Sequence, residues 1–68
     1  MKTTIEQIRF YVNLVNQLQE LKNNCTIYFC RENGTNWIKT RGGNHILFGG
    51  TKKEVYSFVL GLARLLAY

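Results

Sequence analysis

Cys25-Thr26-Ile27-Tyr28-Phe29-Cys30-Arg31-Glu32-Asn33-Gly34-Thr35-Asn36-Trp37-Ile38-Lys39-Thr40-Arg41 decides how this chain folds. Two runs rich in β-branched and aromatic residues flank Asn33-Gly34, a dipeptide that accepts the left-handed backbone of a two-residue hairpin turn. Such a turn fixes the pairing. Glu32 lies opposite Thr35, Cys30 opposite Trp37, Phe29 opposite Ile38, Tyr28 opposite Lys39, Ile27 opposite Thr40 and Thr26 opposite Arg41. Because side chains alternate across a strand, this register puts Ile27, Phe29 and Ile38 on one face, which is expected to be buried. Tyr28, Trp37, Lys39 and Arg41 fall on the other. Large aromatics interleaved with cations on an exposed face of so small a chain point to a contact surface for a partner.

Working outward, Gly42-Gly43 or Gly42-Gly43-Asn44 turns the chain into a third strand, His45 to Phe48. A two-residue loop sends Leu47 inward. A three-residue loop sends Ile46 and Phe48 inward with Leu47 outward, and is preferred because it buries more apolar area. Gly49-Gly50 is expected to end the sheet. Thr51-Lys52-Lys53-Glu54 then matches a capping box that opens a helix to about Ala67, with Val55, Phe58, Val59, Leu62, Leu65 and Leu66 as its main stripe. Tyr56, Leu60, Ala63 and Ala67 form a second stripe. Gly61 in its interior costs about 1 kcal/mol relative to alanine and points to close approach of another backbone.

On the other side of the hairpin, Thr3 with Glu6 fits a capping box for a helix from about Thr4 to Lys22. Ile5, Ile8, Val12, Val15 and Leu18 recur at a helical period, Phe10, Tyr11 and Leu14 widen the stripe, and Asn23-Asn24 ends it. The expectation is therefore an α+β fold, α-β-β-β-α, in which a three-stranded antiparallel meander carries two helices on one face. Residues 1–68 form a single small domain. A domain of this size buries only about 60% of the surface its unfolded chain exposes. With both helices apolar on two sides, a homodimer through the terminal helices is expected.

Composition narrows the function. An apolar fraction of 46% excludes disorder. Cys25 and Cys30 are five apart on a strand and point to opposite faces, so free thiols are expected. No charged-then-apolar leader opens the chain and no apolar run approaches ~18 residues, so neither secretion nor a membrane span is indicated and a cytoplasmic location is expected. Asn24-Cys25-Thr26 and Asn33-Gly34-Thr35 match the glycosylation pattern only by coincidence in that setting. Of the net charge of +5, the segment Cys25 to Lys53 holds +4: Arg31, Lys39, Arg41, Lys52 and Lys53 face Glu32 alone. A partner of negative potential is favoured, whether nucleic acid or an acidic protein patch.

Enzymatic chemistry is not expected. Glu6 and Glu54 have capping posts, Glu20 a helix surface and Glu32 a turn, and His45 is the only histidine. Cys25, Cys30 and His45 lack both metal-ligand spacing and a fourth ligand, so neither a metal nor a cofactor is expected. Gly49-Gly50-Thr51-Lys52-Lys53 entering a helix suits anion binding, since exposed N–H groups, the helix dipole and two lysines converge there. Ordinary capping, with Glu54 supplying the carboxylate, is the alternative. The face of Tyr28, Trp37, Lys39 and Arg41 fits base stacking on single-stranded nucleic acid, and equally the Trp, Tyr and Arg anchors of protein interfaces. Cross-strand aromatic and cation–π pairs also stabilise an exposed sheet face on their own.

With Gly49-Gly50-Thr51-Lys52-Lys53-Glu54-Val55-Tyr56 leading from a short sheet into the final helix, the chain resembles the small accessory proteins encoded by bacterial phages and prophages. The resemblance lies in size, basicity, layout and this junction. It implies a non-enzymatic protein that binds and modulates a host or phage factor, inhibition of a defence system among such roles. The resulting expectation is an interaction module that binds a partner protein, with nucleic-acid binding by the same face as the alternative.

Overall fold

A computed structural model describes residues 2–67, which run α1 (Ile5–Leu21), β1 (Ile27–Glu32), β2 (Thr35–Thr40), β3 (Ile46–Gly50) and α2 (Lys52–Leu66). The fold is α+β, with the order α-β-β-β-α and a three-stranded antiparallel sheet in the order β1-β2-β3. Both helices pack on the face that carries Ile27 and Ile38. The Cα trace measures 32 × 28 × 15 Å, the thinness of two layers.

Asn33 (φ 52°) and Gly34 (φ 77°) are both left-handed, which makes the β1–β2 turn the kind that matches strand twist. The pairing that follows is the one read from the sequence, from Glu32 opposite Thr35 to Ile27 opposite Thr40. Ile27 and Ile38 are buried with Ile8, Val12, Val15, Val55, Val59 and Ala63, and Phe29 packs against that cluster from its margin. Asn16 of α1 pairs the first residue of the free edge of β1. Its side-chain amide donates to Ile27 O (2.9 Å) and accepts from Ile27 N (2.8 Å), standing in for a neighbouring strand.

The helix ends follow from the local sequence with one shift. The α1 box uses Thr4 and Gln7, not Thr3 and Glu6: Gln7 N donates to Thr4 Oγ1 (3.2 Å) and Thr4 N to Gln7 Oε1 (2.9 Å). Adjacent threonines and an adjacent Glu-Gln pair make the two frames chemically equivalent, and burial of Ile8, Val12 and Val15 decides between them. At the other end Asn23 is left-handed (φ 57°), and Asn24 N reaches back to Gln19 O at 2.9 Å, a Schellman closure. In α2 the box is the expected one, Thr51 with Glu54.

The third strand departs from expectation in three ways. It starts at Ile46 rather than His45, and Gly49-Gly50 extends it instead of ending the sheet. Between the pairs Ile38–Phe48 and Lys39–Ile46 the register shifts, leaving Leu47 as the extra residue of a bulge. Phe48 therefore faces inward, where it stacks on Phe58 with ring centroids 4.8 Å apart. Ile46 does not: it sits opposite Lys39 on the outer face and is 59% exposed. The other correction concerns Gly61, where an added Cβ meets nothing within 4 Å, so among the described residues no neighbouring backbone approaches it there. The second stripe of α2 is partly occupied by α1, since Tyr56 meets Tyr11 edge to face and Ala63 is buried.

Candidate functional site

Among the described residues no helix lies over the outer face of the sheet, because α1 and α2 both lie against Ile27 and Ile38 on the opposite side. Alternation from those two residues places Tyr28, Cys30 and Glu32 of β1, Trp37 and Lys39 of β2, and Ile46 and Gly49 of β3 on this open face. Tyr28, Trp37 and Lys39 are thus brought together as the register requires. Arg41 is not with them. It lies past the end of β2, tied through its backbone N–H to Thr26 O (3.0 Å), and borders a shallow recess with Asn13, Gln17 and Glu20 of α1. Arg41 is one residue beyond Thr40, the last residue of β2.

Tyr28, Trp37 and Lys39 are each held by a specific contact. Trp37 is opposite Gly49, and its ring covers the space where a side chain at Gly49 would stand. The Tyr28 hydroxyl donates to Asn44 Oδ1 (3.0 Å), fastening the β2–β3 turn, whose Asn44 is left-handed at φ 56°. Lys39 Nζ donates to Glu32 Oε1 at 3.1 Å, with the lysine side chain only 16% exposed. That hydrogen bond holds the Lys39 ammonium above its ordinary pKa, with burial working against it. Cys30 Sγ lies 3.7 Å from the same carboxylate oxygen.

The pairing of Lys39 with Glu32 changes the electrostatic reading of the face. Its lysine is matched by a carboxylate, and Arg41 stands apart, so the surface around Tyr28, Trp37 and Ile46 is close to neutral. The excess positive charge of the chain is elsewhere. Arg31, on the helix side of β1, joins Lys2, Lys52 and Lys53 around a recess between the two helix N-termini. Of the candidate anion-binding residues, Thr51, Lys52 and Lys53 line that recess. Gly49 and Gly50 instead belong to the ladder, Gly49 beneath Trp37 and Gly50 opposite Asn36. Glu54 already accepts from Thr51 N at 3.0 Å, and this bond holds its carboxyl below the ordinary glutamate value.

Sequence reasoning missed Asn36. Its neighbours in parity are Ile38 and Thr40, so a polar residue at that position of β2 is turned toward the helices, and it is 4% exposed. That parity was the available signal. Both cysteines are free thiols, and among the described residues no three His, Cys, Asp or Glu side chains are grouped to hold a metal ion. No helix of the described residues is long and apolar enough to cross a membrane. Set beside protein-family models, curated proteins and solved structures, the chain matches none of them.

Proposed function

We propose that this chain is a non-enzymatic interaction module that binds a partner protein through the open face of its sheet, the mode of action of small phage-type accessory proteins. The observation that carries the reading is an uncovered face on which Tyr28, Trp37 and Ile46 lie beside a lysine neutralised by Glu32. Aromatic and aliphatic anchors with few free charges are the composition of an interface centre, where removal of one anchor costs about 2 kcal/mol or more. Single-stranded nucleic acid requires cations free to meet phosphates alongside its stacking platforms. Here the cation nearest the aromatics is engaged, which weighs toward protein.

The test compares the chain with Ile46→Asp. Ile46 is 59% exposed, so the substitution places a charge on the face without opening the core. Immobilised wild type incubated with lysate of the source cells is expected to retain a protein that survives nuclease treatment and is lost on Ile46→Asp, with thermal unfolding unchanged. Retention that vanishes with nuclease, or that is equal for the two chains, overturns the reading.

A further inference from the structure

The two edges of the sheet are built differently. Along β1, Asn16 occupies the backbone groups of Ile27, and Arg31 and Glu32 put charges at the far end, devices that keep an edge from pairing with another chain. Along β3, Ile46-Leu47-Phe48-Gly49-Gly50 carries no charge and no proline, and among the described residues no element pairs its outer side. That edge is open.

The pairing of β2 with β3 shows which groups of that edge point outward. Arg41 N donates to Thr26 O (3.0 Å) and Thr40 N to His45 O (2.9 Å), so the backbones of Asn36 and Ile38 face β3, and their partners Gly50 and Phe48 face back toward β2. Gly49, between them, directs its N–H and C=O to the free edge. Beside it lies a cleft of about 440 Å³ lined by Phe48 and by Lys53, Glu54, Ser57 and Phe58 of α2, on the side of that helix away from Tyr56 and its contact with α1. The stacked rings of Phe48 and Phe58 make its wall apolar.

We propose that two copies of this chain join edge to edge through β3, antiparallel about a two-fold axis at Gly49, into one six-stranded sheet. The strand is complementary to its own reverse. With Gly49 opposite the partner's Gly49, two N–H···O bonds form at the axis, and each Phe48 falls opposite the partner's Gly50 on the helix side, where its ring reaches the partner's cleft. Lys53 and Glu54 carry opposite charges at that cleft, so the axis brings the cation of each copy toward the carboxylate of the other. One chain reversed satisfies both the size match and the charge match, which is why the occupant is a second copy. The bulge at Leu47 confines the pairing to Phe48–Gly50. On the open face the two Trp37 rings, each over its own Gly49, come side by side.

Sedimentation and amide hydrogen exchange of the full chain test this independently of any partner of the open face. At about 100 µM the mass is expected to be twice that of one chain and to fall to that of the monomer on dilution, with the Gly49 amide losing its protection in parallel. Ser57 is exposed, so Ser57→Arg places bulk and charge in the cleft without opening the core. That variant is expected to associate at least about tenfold more weakly, while unfolding of the dilute monomer is unchanged. A chain that is monomeric at that concentration, or association that Ser57→Arg leaves intact, overturns the proposal. The Gly49 amide gives a readout on the unmodified chain: a dimer in which it exchanges freely joins by another surface and also overturns it.

Discussion

Replacing Gly49 by alanine tests how the open face is held. Gly49 has no left-handed backbone requirement, so alanine suits its conformation, and a strand interior normally gains about 0.5–1 kcal/mol from that exchange. The Trp37 ring reverses the sign, because an added Cβ falls well inside contact distance of Trp37 Cε3 and Cζ3. Either the ring is strained or it swings into water and loses its packing, at a cost of about 1–3 kcal/mol. In a Trp37→Ala background the space is empty and the same substitution is expected to stabilise. The two effects differ by about 2 kcal/mol or more, a large coupling for residues in contact and for a domain whose core supplies about 3–5 kcal/mol in total. Urea denaturation followed by far-ultraviolet circular dichroism measures it, since Trp37 is the only tryptophan and its emission is lost in one background. An equal cost of Gly49→Ala with and without Trp37 would show that the ring does not rest on Gly49.

Gly61→Ala is expected to stabilise α2 by about 1 kcal/mol and raise the melting temperature by about 4–8 °C, because the added methyl meets open space; a loss would mean that a second backbone does approach there. Glu54 contributes to stability at a pH above its unfolded-state value, and the contribution is lost as pH falls through its depressed folded value, its Thr51 hydrogen bonds being made by the carboxylate. Glu54→Gln should therefore lower the neutral plateau of the melting-temperature profile and flatten its acid limb, the two chains converging at low pH; an unaltered acid limb would remove Glu54 from the account. Truncating Ile38, which is fully buried opposite Phe48, to alanine is expected to cost about 2–5 kcal/mol, enough to unfold the chain, whereas Phe29 at the edge of the cluster should cost less.

The hairpin was legible in the sequence because a two-residue Asn-Gly turn leaves the phase of pairing no freedom, and the residues facing the helices follow by parity. The third strand was not, because the bulge at Leu47 breaks that parity and sends Ile46 outward. A bulge has no sequence signature as strong as a turn. Arg41 was assigned to the open face by extending alternation one residue past the strand. The basic recess was half legible: its α2 half follows from Thr51-Lys52-Lys53, but the approach of the α1 N-terminus and Arg31 is a matter of tertiary packing. Whether the open face binds a protein is a property of chemistry on that face, not of the fold, and several functions suit one architecture.

The most direct test of that face is photo-crosslinking in cells of the source organism. Ile46→p-benzoylphenylalanine puts the reactive group on the open sheet, and Gln17→p-benzoylphenylalanine puts it on the exposed side of α1 as a control. The account predicts a discrete, nuclease-resistant protein adduct from position 46 and none of that mass from position 17. Adducts from position 17 alone, or an adduct from position 46 that nuclease destroys, would contradict it.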